Sequence, residues 1–380
     1  MKTITQLLAT TVFIFLFTLS CQKTIKTEPL AEEVQSKPPP PPPPTGETQT
    51  PIQIYGVWHA GNDYCTWSTV RTVSEFDSKN HWIIDRGNGQ PSVNIVILSF
   101  VNPLKLLNKT NDGGTVDGVP KGMTPDIVNY FKSRGIRVML SIGGITYTDF
   151  WNTALSTNAT QLGLHAAEVA QRLGVGIEID YEENSDPDLT GLQAFIDAYR
   201  SVLPYDPTGV NHAARLTIDL AAGDRWLIDI CRKATADWLN TTTPVLDYAN
   251  AMVPARQPSM SAAIANWQEH IDGKPQYGPP ILPLAPAKFT GSLWLVDRKA
   301  IPECINFNNS LQKSTANYVQ SVLSKIPGTT PGMLGYMFWA AECQGTRAIC
   351  TTPPNSCEGG MGAGATYFNI PIPMPALRQQ

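Results

Sequence analysis

Glu178, Asp180 and Glu182 stand at alternate positions of the stretch GVGIEIDYEEN, residues Gly174–Asn184. Alternate residues of a strand point to one face, so these carboxyls share a face and Ile177, Ile179 and Tyr181 share the other. Only 16% of the chain is charged, so the cluster is no by-product of an acidic composition. Crowded carboxyls resist ionising together, because burial and mutual repulsion both favour the neutral form. Such a group can hold a proton near neutral pH and deliver it, which is the work of a general acid. A row of acids along one strand does not enclose an ion, and His59, His81, His165, His212 and His270 show no HExxH or other ligand spacing. The pattern therefore points to neither a metal nor a cofactor.

The acids need a frame that holds them. Short apolar runs bounded by Gly, Pro, Asn or Asp recur along the chain: IQIYGVW, VNIVILSF, IRVMLSIGG, GIEIDYEE, ARLTIDLAAG, DYANAMV, GSLWLV and MLGYMFWA. Between them TPDIVNYFKSRG has Thr124 as a cap, Pro125 in the first turn and Gly135 as a stop. NATQLGLHAAEVAQRLG and TGLQAFIDAYRSVL also follow a helical period. Strands alternating with helices predict a (β/α)8 TIM barrel, a single catalytic domain of the α/β class. A doubly wound open sheet is the alternative, although no GxGxxG follows the first strand. In a closed barrel the acids of GIEIDYEE climb the interior, and Glu182 reaches the C-terminal mouth, where barrel enzymes place their chemistry.

In this setting the chain resembles the glycoside hydrolase family 18 chitinases and endo-β-N-acetylglucosaminidases. Their fourth-strand pattern D-G-x-D-x-D-x-E lies over Val175-Gly176-Ile177-Glu178-Ile179-Asp180-Tyr181-Glu182. Their third-strand S-x-G-G is similar to Ser141-Ile142-Gly143-Gly144, and an eighth-strand aromatic run ending in Trp is similar to GYMFWA, with Trp339 at the mouth. The resemblance spans about Tyr55 to Trp339. It implies a retaining hydrolase in which Glu182 is the acid and base, and the 2-acetamido group of the substrate is the nucleophile. Asp180 would orient that acetamide, and Glu178 would share a proton with Asp180. Trp339 would floor the sugar, Met252 would mark the sixth strand, and Ser141, Gly143 and Gly144 would shape the backbone. Trp58 and Tyr64 would line a subsite or pack the core.

Three departures stand out. Val175 replaces the first Asp, and Glu178 lengthens the second by a methylene. The sixth strand reads Met252-Val253-Pro254-Ala255 where the family carries a Tyr, leaving Gln257 as a polar substitute. The resemblance implies a partner rich in N-acetylglucosamine, either chitin oligomers or the chitobiose core of N-glycans. A lectin-like or inhibitory protein on the same barrel is the competing function. Such relatives commonly lack the acid, and Glu182 is present.

The rest of the chain bounds the setting. A net charge of −4 over 380 residues gives no footprint for nucleic acid. Residues 1–20 read as a signal peptide, with Lys2 before the apolar LLATTVFIFLFTLS. FTLSC resembles a loose bacterial lipobox, which would lipidate Cys21; an ordinary signal peptide is the other reading. The chain would then be exported, secreted or anchored at the cell surface or outer membrane, touching the membrane only through the lipid. Residues 21–50 are a tether in which Pro38–Pro44 form a polyproline II spacer of roughly 20 Å. The barrel is expected over 51–370, as a monomer. Cys65, Cys231, Cys304, Cys343, Cys350 and Cys357 allow up to three disulfides among 15 pairings. The sequons at Asn108, Asn158, Asn240 and Asn308 would carry glycans only in a eukaryotic secreted protein.

Overall fold

The computed structural model describes residues 50–59, 67–85, 89–221, 223, 225–252, 259–294, 311–339 and 341. Eight parallel strands close into a barrel: β1 (Ile54–His59), β2 (Ile95–Val101), β3 (Arg137–Gly143), β4 (Gly176–Asp180), β5 (Leu216–Leu220), β6 (Ala249–Ala251), β7 (Phe289–Trp294) and β8 (Gly335–Trp339). Each strand pairs with its neighbours in sequence, and β8 pairs with β1 to complete the ring. The α/β barrel expected from the strand runs is therefore the observed fold, and the open sheet is excluded. All eight apolar runs became strands, because a strand covered on both faces must be apolar along most of its length.

The helices are α1 (Val73–Ile84), α2 (Pro103–Leu107), α3 (Pro125–Lys132), α4 (Thr148–Leu173), α5 (Leu189–Val202), α6 (Ile228–Lys233), α7 (Met260–Asp272) and α8 (Leu311–Ser321). In α3 the Thr124 hydroxyl accepts from Ile127 N at 3.3 Å, with Pro125 in the first turn, as its sequence predicts. It ends at Lys132, ahead of the expected Gly135. The helix α4 starts ten residues before the periodic run read from sequence, at Thr148 rather than Asn158. It breaks at Asn158 (φ −165°, ψ 76°), whose Oδ1 accepts from Gln161 N at 3.0 Å. Asn158 thus caps the second half of a kinked helix, the half that the sequence displays.

The strands sort their side chains as the alternation requires. Ile177, Ile179 and Tyr181 lie in the large apolar layer between strands and helices. Ile54, Trp58, Ile95, Ile97, Met139, Tyr248, Leu334 and Met337 form a smaller apolar cluster inside the barrel. Thr50, at the near edge of the domain, donates its backbone N–H to Gln320 O at 2.8 Å. Residues 1–49, including Cys21 and the proline run, lie outside the described residues, as do Tyr64, Val253–Ala255, Gln257, Asn308 and every cysteine of the expected framework except the buried Cys231.

Candidate active site

Register places the acids in layers. Glu178 of β4 is level with Ser141 of β3 and Thr217 of β5, and Asp180 is level with Gly143. Glu178 is fully buried and Asp180 nearly so. Glu182 stands two residues beyond the end of β4 and is half-buried at the C-terminal end of the barrel. The three alternate carboxyls therefore run from the sealed interior to an accessible rim.

Glu178 is held by a directed set of donors. Trp58 Nε1 donates to Oε1 at 2.9 Å, and Asn250 Nδ2 donates to Oε2 at 2.7 Å. Thr290 Oγ1 donates to Asn250 Oδ1 at 2.6 Å, which fixes that amide with its NH2 toward the acid. The chain from β7 through β6 to β4 leaves Glu178 no freedom to turn. Trp58, read from sequence as a subsite or core residue, is a buried member of the inner cluster that also donates to the acid ladder.

The sequence reading missed Asp219. It stands on β5, almost wholly buried, and its carboxyl hydrogen-bonds to Glu178. Burial pushes its proton affinity well above the ordinary aspartate range, and the charges of Glu178, Asp180 and Glu182 push it further. Burial also raises Glu178, while the donors Trp58, Ser141, Asp219 and Asn250 pull it back. The pair consequently shares a proton, with Asp219 as the donor and Glu178 the acceptor. Val175 packs with Ile177, Ile179 and Tyr181 in the outer apolar layer, and the further buried carboxyl beside Glu178 comes from the adjacent strand. The one sequence signal was Thr217 and Asp219 at alternate positions of an otherwise apolar run.

Gly143 and Gly144 set the position of Asp180. They adopt φ of +120° and +90°, a region that disfavours a side chain. A Cβ on Gly143 would strike Asp180 O and the Trp151 indole, and one on Gly144 would meet the Phe100 ring at 3.1 Å. Gly144 N donates to Asp180 O at 2.9 Å, and Trp151 Nε1 reaches the same oxygen at 3.2 Å. Ser141 is buried beside Glu178 and favours its charged form.

At the rim, Trp339 ends β8 half-buried. Its ring stands edge-on to Trp58 at 6.2 Å and tilted against Phe100 at 5.7 Å. The face is thus fixed by aromatic neighbours while part of it remains open. Met252, half-buried, packs against the large outer layer rather than the inner cluster. After Gly144, Ile145 and Phe150 expose 58% and 40% of their surface, with Tyr147 5.9 Å from Phe150. This apolar rim at the end of β3 carries no periodic signal and was not legible beforehand.

Among solved structures of similar fold are chitinases. One from Rhizomucor miehei is 10% identical with a TM-score of 0.45, covering 80% of this chain and 98% of that one. A family 18 chitinase from Cycas revoluta, complexed with allosamidin, is 13% identical with a TM-score of 0.43, covering 82% and 99%. A Bacillus thuringiensis chitinase is 10% identical with a TM-score of 0.46, covering 84% and 70%. These likenesses accompany the barrel topology and carry no inference about chemistry. No family model and no curated protein matches the sequence.

Proposed function

We propose that the protein is an exported glycoside hydrolase acting on β-1,4-linked N-acetylglucosamine. The observation that carries this reading is the acid ladder itself: a half-exposed Glu182 above the buried carboxyls of Asp180, Glu178 and Asp219. Glu182 delivers its proton to the bridging oxygen as the bond to the leaving sugar breaks. The carbonyl oxygen of the substrate's 2-acetamido group closes on the anomeric carbon and forms an oxazolinium ion. Asp180 holds the acetamide N–H and offsets the positive charge. Glu182, now a carboxylate, takes a proton from the water that opens the ring and restores retained configuration. Trp339 provides an apolar face under the sugar.

Glu182→Gln keeps the shape and removes the proton. Turnover of chitin oligomers is expected to fall by roughly 10²–10⁴-fold with folding unchanged by circular dichroism. Undiminished turnover would exclude Glu182 as the acid. Assaying a chitin oligomer beside an N-glycoprotein separates the two substrates, and tight binding without release by the wild type would favour the lectin-like reading. Export with lipidation at Cys21 predicts that Cys21→Ser moves the protein from the membrane fraction to the soluble one; an unchanged distribution would leave plain secretion.

A further inference from the structure

A second charged layer lies beneath the acids, at the N-terminal ends of the strands. Arg137 opens β3 and Arg215 directly precedes β5, and both are almost wholly buried. Gly176 leaves the room for Arg215, since a Cβ there would lie 2.9 Å from that of the arginine. Among the described residues Asp247 is the carboxylate that pairs here, with Oδ1 3.2 Å from Arg215 Nε and Oδ2 3.2 Å from Arg200 Nη2. It also accepts from Leu216 N at 2.8 Å, so its lone pairs are largely committed. Arg137 Nη2 donates to Gly209 O at 2.5 Å. Lys288 Nζ lies 3.2 Å from the Tyr205 hydroxyl in the same layer.

Several donors remain. Nη1 and Nη2 of Arg215, and Nε and Nη1 of Arg137, are buried with no hydrogen-bond acceptor among the described residues. The Tyr248 hydroxyl is in the same condition, and its ring lies 5.7 Å from the Arg215 guanidinium carbon. Guanidinium groups do not give up their proton in proteins, so this cost is not relieved by neutralisation. Arg137, Arg200, Arg215 and Lys288 face Asp247, with Asp206 as a further carboxylate acting on Arg137, so the cations still outnumber the anions. Solvent molecules could meet the donors, but only negative charge offsets the excess.

We propose that the barrel floor binds a small monovalent anion of halide size, held by Arg137 and Arg215 with the Tyr248 hydroxyl as a further donor. Donors buried within a strand layer favour a compact ion over a polyanion, which would need a wider enclosure. The site is independent of the sugar-hydrolysing reading and does not use Glu182.

Crystals of the wild type grown in sodium bromide provide the direct test. An anomalous bromide peak within hydrogen-bond distance of both guanidinium groups is the expected result. In solution, chloride or bromide should raise Tm by on the order of 2–4 °C, saturating with concentration, over a bulky organic sulfonate at equal ionic strength. Arg215→Gln should lose that saturating rise. Scattering consistent with water alone at this position, or a Tm that follows ionic strength whatever the anion, would overturn the proposal. If the variant does not fold, the bromide crystal of the wild type decides the matter.

Discussion

A buried carboxyl keeps its proton when ionising would place a second negative charge beside the first. Asp219 is in that position, and Glu178 accepts its hydrogen bond. Asp219 does not reach the rim, so we assign it a positioning role: it holds the proton that sets the charge of the ladder below Asp180. Asp219→Asn retains a donor to Glu178 and removes the exchangeable proton. Turnover is expected to drop by about tenfold, a change of roughly 1.4 kcal/mol in the barrier, and the alkaline limb of the pH–rate profile should shift. A profile that keeps its wild-type shape would reduce Asp219 to a packing residue. At this scale Glu178, Asp180 and Glu182 were legible because three alternate charges in an apolar strand have no bland explanation. Asp219, Asn250 and Thr290 were not, because each is a lone polar residue whose meaning depends on what lies across the barrel.

At the scale of elements, the strands were legible and many helices were not. A strand covered on both sides is a short, nearly continuous apolar run, visible without its neighbours. The helix α1 has no strong apolar stripe; its signal is the Thr72–Glu75 capping box, in which Thr72 N donates to Glu75 Oε2 at 2.8 Å. The first half of α4 starts without a side-chain cap at Tyr147, so nothing in the sequence announces it. The junction of β3 with β4 is where element geometry becomes site geometry. Gly143 lies level with Asp180 at positive φ, and its missing Cβ admits Asp180 O and the Trp151 indole. Gly143→Ala should therefore destabilise the fold by at least about 2 kcal/mol, read from the urea midpoint, and lower turnover by displacing Asp180. Gly113→Ala, where a Cβ would meet nothing within 4 Å, serves as the control and should be near neutral. Equal effects at both positions would refute the close-approach account.

The whole molecule integrates proton linkages of opposite sign. His59 ends β1 with its ring 4.7 Å from that of Trp67 and 5.3 Å from that of Phe76, and its Nε2 lies 3.0 Å from Asn80 Oδ1. Burial depresses its pKa from 6.5 to about 4, against the pull of the Asn80 hydrogen bond. Between those values the unfolded chain binds more protons than the folded one. The stabilisation from a neutral His59 is thus complete above pH 6.5 and lost as pH falls toward 4. The depression corresponds to about 3 kcal/mol, a large share of a typical 5–15 kcal/mol stability. Asp219 has the reverse sign. Its raised affinity means the folded state holds the extra proton, so its contribution is full below pH 3.8 and declines as pH rises through the elevated value. These opposed slopes partly cancel in the wild type, and Asp219→Asn removes the contribution of Asp219. Its unfolding free energy relative to wild type should therefore increase steadily as pH rises above 4, while the depressed His59 and His212 give both proteins an acid loss between pH 6.5 and 4. Urea titrations of both proteins at pH 4, 5, 6 and 7 measure this. Parallel curves would mean that Asp219 titrates in the fold as it does in the unfolded chain, and the shared proton beneath Asp180 would have to be abandoned.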